Sequence, residues 1–424
     1  MPPPRSPSST APAHDVIVVG ASARAWSASA TRAGWRVHAV DLFADTDLVA
    51  IAASAIRLPH GYPHTLPAAV ASLPAAPLTY TGGLENHPAV LVALSRDRLL
   101  AGVTPRTLPR VRGAAALRRL ARAAGMVFPE TRSSPRGLPR DGSYLVKPIA
   151  GAGGIGIAPW TGTTPPPPSP AAACWQRLVH GRPCSATWIV ADDGPRLVGV
   201  ARQRLGPLRP GGPPFAWCGG VALDARRLPA RVVASLHRLG AALWRIDGLR
   251  GIVGVDFLVT ATGAAVLIEV NPRPTASAEL HERQTGRALA ADHLACFGLH
   301  ASRPVPTPPP RAGWWAKTLV RHHRPLAIDG SLLARLGALA GRWSDADGGW
   351  PALADMPSPG DTLPAHGPVL TVFAHGPTTT AAARALAART ALVGAALAGR
   401  LPRDPVTRRA AAAPPPRHRS PRTA

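Results

Sequence analysis

Alternation of apolar and polar positions is clearest in GIVGVDFLVTATGAAVLIEVNPRPTAS, residues 251 to 277. Period-two runs at Val253–Val259 and Ala264–Asn271 predict two strands, with Ala261, Thr262 and Gly263 between them. With Thr262-Gly263 as a two-residue turn, Ala261 pairs with Ala264 and Asp256 falls directly opposite Glu269. Asn271 then lies further along the same face as the two acids. The other face carries Val255, Phe257 and Val259 against Val266, Ile268 and Val270, a continuous apolar surface for a core.

Elsewhere the pattern is mixed. DVIVVG (15–20) is a short buried strand, ASARAWSASATRAG a helix ending at Gly34, and RVHAVDLF (36–43) a second strand with Asp41 near its end. Together they open a Rossmann-like βαβ unit. YTGGLENHP (80–88) is a polar loop at a strand's C-terminal end, where α/β sheets line ligand crevices. Ser95 to Leu100 and Ala114 to Ala124 read as helices, the second with Leu117, Leu120 and Ala121 at helical spacing. In SYLVKPIAGAGGIGIAPW (143–160), Tyr144–Lys147 and Ile155–Ala158 read as strands, with Gly156 just inside the second. CWQRLVHGRPCSATWIV (174–190) gives a strand, a His180-Gly181 turn and another strand, and DDG at 192–194 turns into a third. Residues 143–205 are therefore expected to form a small β-rich unit lying over a nucleotide. Pro165–Pro170 is a loop, and the Ala-rich stretch 378–401, interrupted by Arg384, Arg389 and Arg400, is an amphipathic helix.

Composition changes this picture in two places. At 424 residues and 46% hydrophobic, the chain is globular and long enough for two or three structural units. The first thirteen residues are a Pro/Ser-rich leader without the apolar core of a signal segment, and no charge-free apolar run is long enough to span a membrane. The four cysteines have no metal-site spacing, so a reduced, cytoplasmic protein is expected. A net charge of +25 raises the question of nucleic acid. Yet the only lysines are Lys147 and Lys317, and the arginines are spread along the chain without interleaved aromatics. That distribution fits a composition bias, and the one dense basic run, Arg403 to Arg422, is a proline-rich tail expected to be disordered.

The chemistry concentrates in two stretches. Carboxylates facing each other across a hairpin repel unless a cation sits between them. Asp256, Glu269 and the Asn271 amide are hard-oxygen donors, the set that suits Mg²⁺ carrying substrate phosphates. Gly151, Gly153, Gly154 and Gly156 follow Lys147, so backbone N–H groups can close over an anion beside a compact ammonium. The first βα turn reads G-A-S-A-R-A rather than G-x-G-x-x-G, which does not support a dinucleotide site.

Lys147-Pro148 with its glycines, the QRLVHG segment, the acids of the hairpin and EVNPRPTAS resemble, in this order, the ATP-grasp superfamily. Residues 15 to about 295 are similar to its carboxylate–amine ligase group, and 354–376 to that group's C-terminal β-rich portion. The resemblance implies an α/β ATP-grasp fold with an α+β lid. Its parts are a Rossmann-like preATP-grasp domain (14–125), a lid (126–205), a metal-binding subdomain (206–300) and a C-terminal portion (301–402), followed by the basic tail (403–424). It implies that Lys147 and the Gly151–Gly156 loop contact the phosphates of ATP. Gln176 to Val179 would be the hinge, with Leu178 and Val179 near adenine. Asp256, Glu269 and Asn271 would hold Mg²⁺ (or Mn²⁺), and Arg273 would face the transferring phosphoryl group. The implied reaction activates a small-molecule carboxylate as an acyl-phosphate, which an amine or thiol then captures, in the biosynthesis of a cofactor or small metabolite. No membrane or nucleic-acid partner is expected, and a homodimer is left open. Pro183 and Cys184 stand where many members carry an acid for the ribose, and the early lysine of many members is absent, with Arg96 and Arg98 nearest. Thr275, Ser277, Glu279 and His281 continue from the metal strand, and each serves equally well as a helix cap or surface residue. The other readings of the same residues are a small-molecule kinase and a non-catalytic nucleotide- or nucleic-acid-binding protein.

Overall fold

The computed structural model describes residues 14–164, 172–206, 214–301 and 308–399. The leader, the Pro165–Pro170 loop and the basic tail lie outside the described residues. Among those described, no helix is long and apolar enough to cross a membrane.

The first unit is a parallel sheet in the order Ser54–Arg57, Arg36–Asp41, Asp15–Val19, Leu78–Tyr80. Val16 and Val18 face one apolar cluster and Ile17 and Val19 another, so the central strand is apolar at every inner position. The Arg24–Arg32 helix covers one side through Trp26 and Ala30. Ser95 to Leu100 is not helical. The helix runs from Pro88 to Leu94, and Leu100 instead forms a parallel bridge with Leu78. Arg98 donates to the carbonyls of Val70 and Leu73 (3.2 and 3.0 Å), closing the C-terminal end of the Leu66–Ala71 helix. It is therefore spent on structure and does not stand in for the missing lysine.

The lid is a four-stranded antiparallel sheet in the order Thr131–Arg132, Ala173–Arg177, Asp141–Pro148, Ala158–Thr161. Tyr144, Val146, Trp160 and Trp175 fill its core. The strand expected at Ile155–Ala158 begins only at Ala158, because Gly153, Gly154 and Gly156 take positive φ and keep the chain turning.

The lid is also smaller than expected. Arg182–Ala191 pairs along its full length with Gly251–Val259, and Gly194–Leu205 follows it, so both belong to an eight-stranded sheet. Cys184, Ala186 and Trp188 are buried in the core beneath that sheet, which fixes the strand there rather than in the lid. The β-rich C-terminal portion joins this sheet. Trp314–Arg321, Pro368–Gly376 and Leu353–Ala354 extend the same sheet beyond Trp217–Leu223, backed by the helices Gly330–Ala346 and Thr379–Leu397.

The hairpin at the sheet's other end departs from a simple ladder in two places. Val259 pairs with Ala265 and the Thr260 N–H donates to the Ala264 carbonyl (3.0 Å), which leaves a three-residue loop, 261–263, with Gly263 at φ +77°, one residue longer than expected. A bulge at Ile268 then restores the register, so that Asp256 does stand opposite Glu269 and Gly254 opposite Asn271. The apolar face therefore consists of Val255, Phe257 and Val259 against Val270, Leu267 and Ala265, in place of Val266 and Ile268. Leu267 is fully buried, whereas Ile268 is only half-buried and lines the cleft with Glu269. Leu267→Ala is expected to lower stability by about 2–5 kcal/mol. Ile268→Ala should cost less than half as much, a contrast that equilibrium denaturation measures and that an unbulged register would reverse.

Candidate active site

A cavity of about 750 Å³ lies where the Rossmann-like sheet, the lid and the large sheet meet. From the lid, Lys147 enters near the end of its strand and donates to Gln176 Oε1 at 3.0 Å. Gln176 in turn donates to Thr131 Oγ1 at 3.1 Å, so its side chain steers the lysine. Gly151, Gly153 and Gly154 line the cavity, whereas Gly156 packs off it against Pro148. Two tethers shut the loop: Asn86 Nδ2 donates to the Gly151 carbonyl (3.2 Å) and the Trp217 N–H to that of Gly153 (2.9 Å). A Cβ at Gly154 would collide with the Phe215 carbonyl, so the loop seats only with glycine there. Leu178 and Val179 line the hinge, but the Leu178 N–H is donated to the Ser143 carbonyl at 2.8 Å.

On the opposite wall, Asp256 accepts from Gln203 Nε2 (2.7 Å) and from Asn271 Nδ2 (3.1 Å). Burial, then the facing charge of Glu269, pushes the Asp256 carboxyl up to about 7. Such a raised carboxyl marks a pair that a cation would relieve. Among the described residues, no group of three or more His, Cys, Asp or Glu side chains is placed to hold a metal. The donors here are two carboxylates and an amide, which suit a Mg²⁺ that keeps waters and phosphate oxygens in its remaining positions. The Asn271 amide oxygen accepts from Arg273 Nη2 at 3.1 Å.

Arg273 is buried against Glu85, its Nε donating to Oε1 at 2.8 Å. Arg112 approaches the same carboxylate at 3.6 Å and Glu269 at 3.5 Å. Burial works to raise the Glu85 carboxyl, but Arg273 and Arg112 hold it below its ordinary value.

The cavity continues to a second charged end. Arg24 pairs with Glu279 (2.6 Å) and with Asp355 (2.9 Å), and Lys317 reaches Glu279 at 3.0 Å. Asp41 receives the N–H groups of Ala23, Phe43 and Ala44 and so shapes the loop that presents Asp45. Of the residues after the metal strand, only Glu279 takes part in these charge pairs. His281 is buried, which drives its ring down to about 4, and it packs on Gly199.

Residues 115–277 match the ATP-grasp domain family. The chain carries an ATP-grasp domain. No curated protein matches the chain in sequence. Among solved structures, it is similar to the ADP complex of N5-carboxyaminoimidazole ribonucleotide synthetase, at 14% identity and a TM-score of 0.60, covering 90% of this chain and 97% of that one. The ATP complex of carboxyaminoimidazole ribonucleotide synthase from Aspergillus clavatus gives 13%, 0.60, 90% and 98%. The biotin carboxylase domain of 2-oxoglutarate carboxylase from Hydrogenobacter thermophilus, described with MgADP, ADP and bicarbonate, gives 11%, 0.57, 86% and 86%. At these identities the likeness carries the ATP-grasp fold, of which the described chain has the preATP-grasp sheet, the lid and the large sheet.

Sequence reading brought Lys147, three of the four lid glycines, Gln176, Leu178, Val179, Asp256, Glu269, Asn271 and Arg273 to one cavity. It missed Arg24, Asp45, Glu85, Arg112, Gln203, Lys317 and Asp355. Lys317 carried a usable signal, since both lysines of this arginine-rich chain line the cavity. The others are ordinary residues until the fold assembles them.

Asp45 gives a pH prediction. Burial, then the charges of Asp355, Asp47 and Asp41, pushes its carboxyl up to about 8. The folded state then binds that proton more tightly than the unfolded chain. Stability is full below the unfolded value near 4 and falls as pH rises toward 8. Asp45→Asn, which cannot ionise, should gain on the wild type between about pH 5 and pH 8, by upwards of about 1 kcal/mol at the alkaline end. Melting temperatures across that range would show it, and parallel curves would contradict the assignment.

Proposed function

We propose that this ATP-grasp protein is an ATP- and Mg²⁺-dependent ligase that joins a carboxylate to an amine through an acyl-phosphate. One observation carries the reading. Lys147 with its glycine loop, the Asp256–Glu269–Asn271 set and Arg273 open onto one cavity, which runs on to a charged end large enough for further substrate. The solved relatives named above are described with ATP, ADP or MgADP, which favours a nucleotide in the same place here.

In this reading the substrate carboxylate oxygen attacks the γ-phosphorus of ATP and the bond to ADP breaks. The amine nitrogen then attacks the acyl carbon, phosphate leaves, and the nitrogen loses its proton. The chain supplies no nucleophile. Its part is positioning and charge neutralisation as negative charge spreads over the phosphoryl oxygens. Lys147, steadied by Gln176, would neutralise phosphate charge from the lid side. Arg273, fixed by Glu85, would present its guanidinium to the transferring group without reorganising. Val179, rather than Leu178 with its engaged N–H, would meet the adenine. Mg²⁺ held by Asp256, Glu269 and Asn271 would supply charge neutralisation for the phosphates, the Asn271 oxygen turning from Arg273 to do so. A cytoplasmic enzyme acting on small molecules, with no nucleic-acid partner, belongs to the same reading.

An ADP-release screen over carboxylates paired with amines tests the proposal. Turnover should require both partners, and hydroxylamine should trap the acyl-phosphate when the amine is withheld. Glu269→Gln is expected to lower turnover by about 10²–10³-fold, on the scale of losing one electrostatic group. Release needing the acid alone, with nothing for hydroxylamine to trap, would mark a kinase. Silence together with no Mg²⁺-ATP binding would end the catalytic reading.

A further inference from the structure

Around Arg24, the carboxylates in and behind the cavity wall outnumber the cations that pair with them. Asp41, Asp45, Asp47, Asp355 and Glu279 gather there against Arg24 and Lys317. Four of the five carboxylates are accounted for. Asp41 holds three backbone N–H groups, and Asp47 holds those of Asp355 and Met356 at 3.0 and 2.9 Å. Asp355 binds Arg24 and the Thr371 hydroxyl (2.6 Å), and Glu279 binds Arg24 and Lys317. The Asp45 carbonyl accepts from the Leu48 and Val49 N–H groups, but its carboxylate has no hydrogen bond to any described residue, although Asp45 is only 8% exposed and lines the cavity along with Phe43. A buried carboxylate without a partner is costly unless something else completes it. Here the open side is the cavity, and an aromatic ring borders it.

We propose that Asp45, with Phe43 beside it, is a recognition subsite for an ammonium group that does not react, so that one substrate is a diamine or an amino acid-like zwitterion. This rests on the ligase reading above. An amine must be neutral to attack an acyl-phosphate, whereas a carboxylate beside an ammonium favours its charged form. The group held at Asp45 is therefore an anchor, and the reacting group is another one on the same molecule. The anchored cation forms a charge-assisted hydrogen bond with the carboxylate and sits near the Phe43 ring. Because Asp45 is largely protonated at neutral pH without a ligand, binding an ammonium releases its proton.

Calorimetry on the full chain with ADP present tests this with two matched pairs: β-alanine against propionate, and 1,4-diaminobutane against 1,4-butanediol. The ammonium-bearing member should bind, and titrations at pH 7 in buffers of different ionisation heat should show proton release. Asp45→Asn should weaken that binding by about 10–100-fold and abolish the proton release, with ADP binding unchanged. Equal binding of the neutral partners, no ammonium-dependent binding in either pair, or an unaffected Asp45→Asn variant overturns the subsite. If the variant loses ADP binding through misfolding, the matched pairs and the proton release on the wild type decide alone. None of these readouts needs turnover. A silent ADP-release screen would sink the ligase and leave the subsite standing. Substrates that carry no ammonium beyond the reacting groups would do the reverse.

Discussion

Glu85 is buried between two guanidinium groups, Arg273 from the segment after the metal strand and Arg112 from the stretch leading to the Ala114–Ala124 helix. Its own place is the loop after the last strand of the Rossmann-like sheet. One carboxylate thus ties the preATP-grasp unit to the ATP-grasp sheet at the point where phosphate chemistry is expected. Removing one partner of a buried pair typically costs about 3–5 kcal/mol, because a desolvated charge is left behind. Arg273 is also the donor that engages Asn271, so the same link orients the amide beside Asp256. The neighbouring Asn86 holds the lid loop through Gly151, which extends the link to the third unit. All three units therefore converge on two consecutive residues of the YTGGLENHP loop.

The two ends of the cavity are electrostatically different. At one end, Arg273 and Arg112 flank Asp256 and Glu269, and Lys147 lines the same cavity. At the far end, carboxylates outnumber cations and one of them stands unpaired. On the proposed reading, a single cavity graded in this way would orient a substrate lengthwise, with its reacting part toward the nucleotide.

Much of this was legible in the sequence where a local rule applied. The strand Asp15–Val19, the helix Ala114–Ala124, the opposition of Asp256 and Glu269, and Lys147 ahead of its glycines all follow from short-range periodicity and spacing. What failed depended on long-range pairing. Arg182–Leu205 reads as a strand pair in either sheet, and only its contact with Gly251–Val259 decides which. Ser95 to Leu100 has helical composition, yet a bridge to Leu78 and the clamp of Arg98 on another helix override it. Arg24, Asp45 and Asp355 are far apart in the chain, and nothing local announces that they meet.

The hairpin's two irregularities constrain chain length. The three-residue turn by itself would set Ile268 opposite Asp256 and send Glu269 to the apolar face, and the bulge cancels that displacement. Either device without the other sends one of the two acids to the apolar face, whereas both together, or neither, keep the acids paired. A one-residue deletion between Asp256 and Glu269 therefore inverts that rule. With twelve residues between them the acids pair when both irregularities are present or when neither is, whereas with eleven they pair when only one is: a two-residue turn that keeps the Ile268 bulge, or the present turn with the bulge closed.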